Sequence, residues 1–303
     1  MSDLRRKVAV IQQTASADKH ASLHETRRLA LTLKHEAPDV VLLQELHATH
    51  YFCQTEDVTV FELAEPLDGP TFQTLSSLAR ELSSVIVGSI FEKRAAGVFH
   101  NTALVIERDG SLAGIYRKMH IPDDPGFYEK YYFTPGDAIR HDGTSGFSPV
   151  STSAGKLGVL VCWDQWYPEA ARLMALAGAD MLLYPTAIGW DPLDTHDEHQ
   201  RPNDAWATIQ RSHAVANHLP VLVANRVGHE PCPAGGAGSL FWGTSFISGP
   251  QGEFLAKADT SSSCVLTAEL STDRTERLRR IWPYFRDRRI DAYGDILKRH
   301  KNP

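Results

Sequence analysis

Apolar residues along this chain alternate between two arrangements: short continuous runs, and isolated positions spaced by a helical turn. "KVAVIQQ" is of the first kind and predicts a strand. "ASLHETRRLALTLKHE" is of the second kind. Its Leu23, Leu29, Leu31 and Leu33 recur among polar residues and predict a helix. The alternation continues with "DVVLLQEL" as a buried strand, "TFQTLSSLARELS" as a helix and "VIVGSIFE" as a strand. "HNTALVIERDGSLAGIYRK" predicts two strands turning at Asp109-Gly110, a pair suited to the positive φ angles of a tight hairpin. Next come the strand "KLGVLVC", the helix "YPEAARLMALAG", the strand "DMLLYPTA", the helix "DAWATIQRSHAVANH" and the strand "PVLVANRVG". "GTSFISGPQGEFLAKA" predicts a second hairpin, turning between Gly249 and Gly252, and "SCVLTAEL" predicts a last strand. Strands alternating with helices, with hairpins among them, define an α/β layered fold with mixed sheets. No linker, internal repeat or low-complexity segment interrupts it, so residues 1–303 are expected to form one domain.

Composition narrows the function. The 303 residues are 42% hydrophobic, enough for a large buried core, and 22% charged, which argues against disorder. A net charge of −6 argues against general nucleic-acid affinity and favours neutral or cationic partners. "DRTERLRRIWPYFRDRR" holds seven arginines, but Asp273, Glu276 and Asp287 are interspersed with them. No stretch of about 18 apolar residues is present, so no membrane partner is expected. Cys53, Cys162, Cys232 and Cys264 are too few and too dispersed for a disulfide framework, and a reducing, cytoplasmic setting is expected.

The candidate chemistry starts at Cys162. It lies where the run "KLGVLV" gives way to a helix. Alone, such a thiol is a small buried hydrophobe. In α/β folds, however, sites gather at strand ends, and a nucleophile on a strand-to-helix turn is held exposed beside the next backbone N–H. That N–H belongs to Trp163 and could serve an oxyanion hole. None of the 14 histidines is singled out as the base. Two other strand ends offer Glu45 in "LLQEL" and Lys118 in "YRKMHIP". An acid, a base and a thiol at three strand ends form a joint signal that none gives alone.

These motifs resemble the nitrilase superfamily of carbon–nitrogen hydrolases, from "VAVIQ" to "RDRRIDAYGDIL". The resemblance implies an α-β-β-α sandwich, mixed sheets, no cofactor, and a triad of Glu45, Lys118 and Cys162. It also implies a second glutamate, Glu129 in "GFYEKYYFTPGD", that orients the lysine. Lys118 and the Trp163 N–H would form the oxyanion hole. It further implies homo-oligomers built from dimers, with a tail of about 274–303 packing at a subunit interface. The stretches "QELHATHYFCQ", "YRKMHIPDDPGFYEKYYFTPGD", "CWDQWYPEAARLMALAGADMLLYPTAIG", "NRVGHE" and "WGTSFISGPQGE" resemble most the branch acting on a carbamoylated diamine. That branch releases the diamine, CO2 and ammonia.

The residues after Cys162 bear on the same choice. Relatives that cleave N-carbamoyl-D-amino acids carry an arginine there to clamp a carboxylate. This chain has Asp164-Gln165-Trp166 and no cation. Acidic and aromatic groups suit an amine-bearing substrate, which makes Tyr51, Asp164, Trp166, Asp191 and Asp194 candidate substrate contacts. Competing readings are a hydrolase of 3-ureidopropionate or an N-carbamoyl amino acid, an aliphatic amidase, and a non-catalytic binding member. The i,i+3 pairs His47/His50 and His196/His199 suggest a metal only if a helix aligns them, and no metal is expected. "GGAGSL" lacks the strand-then-helix setting of a phosphate loop. "HEPCPAGGAG", residues 229–238, is expected to be a flexible loop bordering the pocket.

Overall fold

Side-chain alternation along the first strand already sorts residues between two cores. The computed structural model describes residues 5–191 and 194–301. In β1 (Arg5–Gln12), Val8 and Val10 enter one core while Ala9 and Ile11 enter the other. The same division runs through β2 (Val40–Leu42), β3 (Val85–Ala95) and β4 (Val98–Ile106). The Ala9 side of this sheet packs on α1 (Lys19–Leu31) and α2 (Pro70–Leu82). Helix α2 buries Leu75, Leu78, Ala79 and Leu82 there, and each fully buried leucine is worth roughly 1.5–3 kcal/mol. Pro70 opens that helix and Ser83, in the left-handed region, closes it.

Strand β5 (Leu112–Arg117) completes the first sheet from one side. The chain then makes α3 (Glu129–Tyr132), β6 (Val150–Thr152), β7 (Gly155–Val159), a 3-10 turn at Cys162–Trp166 and α4 (Pro168–Leu176). It continues through β8 (Met181–Pro185), β9 (Gly189–Trp190), α5 (His196–Asn217), β10 (Val221–Ala224) and β11 (Val227–Glu230). The last elements are β12 (Ser239–Trp242), β13 (Phe246–Ser248), β14 (Phe254–Lys257), β15 (Cys264–Ser271) and α6 (Thr272–Ile281). The first sheet has the order β15-β1-β2-β3-β4-β5 and the second β14-β13-β10-β8-β7-β6. Val8, Leu42 and Val105 of the first meet Leu157, Leu183 and Val223 of the second in one core, which Ala170, Met174 and Ala214 of α4 and α5 join. The layers are therefore α-β-β-α, as expected. A small third sheet, β11-β12-β9, stands apart from both.

Several boundaries differ from the sequence reading, each for a local reason. "DVVLLQEL" pairs as a strand only through Leu42, because the chain then leaves the sheet and Leu46 turns into the left-handed region. "PVLVANRVG" splits into β10 and β11 at Asn225, whose side chain bonds to Ile188 and to the Gly243 carbonyl. Helix α5 starts at His196 and carries Pro202 inside it, whereas proline ordinarily marks the first turn. Strands β3 and β4 form an unforeseen hairpin through Gly97, at φ +71°. The hairpin at Asp109-Gly110 and the one closed between Gly249 and Gly252 are where the sequence placed them.

Candidate active site

The chain segments after β2, β5 and β7 converge, and they bring Glu45, Lys118 and Cys162 together. Lys118 holds the centre. Its backbone N–H donates to the Asn101 carbonyl at 2.9 Å. Its Nζ donates to Glu45 Oε1 at 2.9 Å and to Glu129 Oε2 at 2.6 Å. The other Glu129 oxygen, Oε1, accepts from the Tyr51 hydroxyl at 2.8 Å. Asn101 Nδ2 donates to Glu45 Oε1 at 2.6 Å. All of these residues are buried.

The thiol sits on a strained turn. Cys162 has φ +45°, a conformation that costs a non-glycine residue about 1–3 kcal/mol and persists only where its surroundings enforce it. Asp164 does much of that enforcing. Its Oδ2 accepts from the Val161 N–H at 2.9 Å and the Tyr116 hydroxyl at 2.8 Å. Its Oδ1 accepts from the His120 N–H at 3.0 Å and from His120 Nδ1 at 2.6 Å. The His120 ring in turn stacks on Tyr167, with 3.8 Å between centroids. Gln165 ties the turn to α5. Its Oε1 accepts from Trp206 Nε1 at 2.9 Å, and its carbonyl accepts from His213 Nε2 at 2.8 Å.

The segment carrying Glu45 is fastened differently. Fully buried Arg226 donates to the Glu45 carbonyl at 3.1 Å, to the Leu46 carbonyl at 2.6 Å and to the Thr49 carbonyl at 2.9 Å. Its charge is balanced by Glu230, 2.6 Å away, whose second oxygen accepts from the Tyr51 N–H at 2.5 Å. Ser89 Oγ accepts from the Leu46 N–H at 2.6 Å.

Electrostatics follow from this packing. Burial pushes the Cys162 thiol well above its ordinary value, the Glu45 charge adds to the effect, and Lys118 opposes it. Burial thus favours the neutral thiol over the thiolate. Burial disfavours the Lys118 charge, but Glu129 and Glu45 outweigh it and hold the lysine above its usual range. Burial raises Glu129 to about 7, against the pull of Lys118.

The candidate substrate contacts are not all in one place. Tyr51 is buried, with its hydroxyl on Glu129. Asp164 is also buried, and its oxygens already take four protein donors, the capacity of a carboxylate. The structure thus gives it the task of holding the turn, where the sequence reading had it meet substrate. Trp163 is half-buried and meets half-buried Trp166 edge-on, with centroids 6.4 Å apart. Asp191 and Asp194 are exposed on the loop after β9, linked by an Asp194 N–H to Asp191 carbonyl bond of 3.0 Å. Pro192 and Leu193 of that loop, and the His196 side chain, lie outside the described residues. The 229–238 segment is the end of β11 with the hairpin loop joining it to β12. Asn101 and Arg226 escaped the sequence reading. Neither the asparagine of "HNTALVI" nor the arginine of "NRVGHE" carries in sequence a sign of its burial or its partner.

Residues 7–280 match the carbon-nitrogen hydrolase family, and the chain belongs to it. Among its relatives is an N-carbamoylputrescine amidase of Arabidopsis thaliana, 41% identical over 298 residues, or 97% of this chain and 96% of that protein. A citrullinase of Francisella tularensis is 37% identical over 295 residues, spanning 97% and 99% of the two chains. The crystal structure of a carbon-nitrogen hydrolase from Helicobacter pylori superposes with a TM-score of 0.93 at 49% identity, covering 98% of this chain and 100% of that one.

Proposed function

We propose that this enzyme hydrolyses N-carbamoylputrescine to putrescine, CO2 and ammonia through a covalent intermediate on Cys162. The observation that carries the reading is the buried lysine between two carboxylates, beside a buried thiol on a strained turn. Glu45 takes the thiol proton, and sulfur attacks the ureido carbon. Lys118 and the Trp163 N–H stabilise the oxyanion, at about 3 kcal/mol for a typical donor. Collapse expels ammonia with the proton from Glu45 and leaves a thiol carbamate. Water, deprotonated by Glu45, cleaves the thioester-like bond and restores the thiol. The released carbamic acid breaks down to putrescine and CO2. Glu129, fixed by Tyr51, keeps Lys118 charged and in place.

The amine end of the substrate is supported by two facts. Relatives over nearly the whole chain are N-carbamoylputrescine amidases. No cation follows Cys162 at positions 164–166 to clamp a carboxylate. Exposed Asp191 and Asp194, and the half-buried ring of Trp166, would favour a cationic tail over an anionic one. The citrullinase relative supports a second reading, a ureido amino acid as substrate. Ammonia release should be measured with N-carbamoylputrescine, citrulline, 3-ureidopropionate and a simple aliphatic amide. The carbamoylated diamine is expected to show a kcat/KM at least about 10-fold above the rest. A higher value for any of the others overturns the assignment, and no release from any substrate supports a binding role.

We also propose a homo-oligomer built from dimers, in a reducing, cytoplasmic compartment. Leu173 and Leu176 of α4, Val215 of α5, and Trp282, Ile296 and Leu297 of the tail are exposed. They supply apolar area on the helix layer for a second copy. The four cysteines are unpaired, in keeping with a reducing setting, and among the described residues no helix is long and apolar enough to cross a membrane. Light scattering should return a multiple of two chains, and a monomer would refute the interface.

A further inference from the structure

We infer that Asn101 is a positioning residue that divides the two oxygens of Glu45 between separate tasks. The inference rests on Glu45 being the base of the proposed reaction. Oε1 of Glu45 takes both available donors, Asn101 Nδ2 at 2.6 Å and Lys118 Nζ at 2.9 Å. Oε2 is buried and has no hydrogen-bond partner in the protein. A carboxylate only accepts, so the amide of Asn101 must turn its NH2 group to Glu45. Two donors, one of them charged, occupy Oε1, whereas Oε2 keeps its lone pairs free. The proton leaving Cys162 therefore lands on Oε2.

Lys118 alone does not secure this division. The terminal torsion of a glutamate is broad and roughly two-fold, so a single ammonium can bond either oxygen. The second donor breaks the symmetry, and it comes from a rigid place. Asn101 lies within β4, paired in register with Phe91 of β3, and is fully buried. Its carbonyl also receives the Lys118 N–H at 2.9 Å. One strand residue thus sets the height of the lysine through its backbone and the orientation of the glutamate through its side chain. The backbone bond survives a change of side chain, so the two contributions separate experimentally.

The test compares wild type with Asn101→Leu and Asn101→Asp. Two readouts are used: kcat and KM on the ureido substrate that wild type turns over fastest, and the second-order rate of Cys162 alkylation by iodoacetamide at fixed pH, followed on the Cys162 peptide. In Asn101→Leu, kcat should fall about 100-fold with KM nearly unchanged. The alkylation rate should fall with kcat, because a carboxylate free to turn no longer presents Oε2 to the thiol. Asn101→Asp offers Glu45 no donor and should lose at least as much in both readouts. An unchanged alkylation rate, or a loss confined to KM, overturns the proposal. If Asn101→Leu does not fold, Asn101→Asp decides alone. Alkylation needs no substrate, so a wrong substrate assignment leaves this test standing.

Discussion

The two turns that meet at the centre are built alike and held differently. Cys162 at φ +45° and Leu46 at φ +48° both sit in the left-handed region just beyond a strand. The cysteine turn carries an anchor of its own, besides its bonds to Tyr116, His120, Trp206 and His213. Asp164, two residues on, caps the Val161 N–H, and α4 follows at once. The glutamate turn is held from far away in sequence, by Arg226 in the link between β10 and β11 and by Asn101 on β4. A local anchor gives a turn that reads in sequence. A distant anchor gives one that forms only after both sheets have met.

The largest expected effect is at the thiol itself. Cys162→Ala should lower turnover by at least about 1,000-fold while leaving thermal unfolding nearly unchanged. Ammonia-release kinetics and a melting curve measure both halves.

The comparison of anchors predicts the next two. Arg226→Met strands Glu230 as a buried charge, and losing one partner of such a pair costs about 3–5 kcal/mol. Denaturant unfolding should show it. Asp164→Asn keeps the shape but sets an NH2 group against two of the four donors, so a smaller stability loss of about 1–3 kcal/mol should accompany a fall in kcat. If the order of these two stabilities were reversed, the local turn would be the more dependent one.

Glu129 separates activity from stability. Its value of about 7 lies above the ordinary 4.5 because of burial. In that window the native state holds a proton that the unfolded chain has lost. The group's contribution to stability is thus full below pH 4.5 and lost as pH rises through 7. Activity runs the opposite way, since Glu129 helps Glu45 hold Lys118 charged only as the carboxylate. Turnover by the wild type should fall as pH drops below about 7. Glu129→Gln should lose most turnover and also flatten the stability change between pH 4.5 and 7.

The smallest effect is expected at the exposed loop. Replacing Asp191 and Asp194 together by asparagine should raise KM for a cationic substrate a few-fold, with kcat held. Salt should erase the difference, because surface charges are screened.

Legibility in the sequence follows the same division. The layers were readable because alternation in β1 to β4 is clean, and Cys162 because its strand, turn and helix are contiguous. Glu45 and Lys118 stood out only as charged residues ending apolar runs. Tyr51 was placed among substrate contacts, whereas its hydroxyl serves Glu129, a bond spanning 78 positions. Asn101 looked like any polar residue opening a strand, and Arg226 was hidden in a stretch read as continuous strand. The start of α5 was obscured by Pro202. Nothing local marks a partner brought in by tertiary packing.

Strand β15 pairs antiparallel with β1 from Arg5–Ser271 to Gln12–Cys264. During synthesis, β1 must therefore wait for a neighbour made about 250 residues later, which at ribosomal speed is roughly 10–50 s. Until then one edge of the first sheet stays open. The basic start of that strand, Arg5, Arg6 and Lys7, discourages it from pairing with another nascent chain. A polypeptide stopped before Cys264 would contain every residue of the centre and still lack the strand that closes the sheet beneath it.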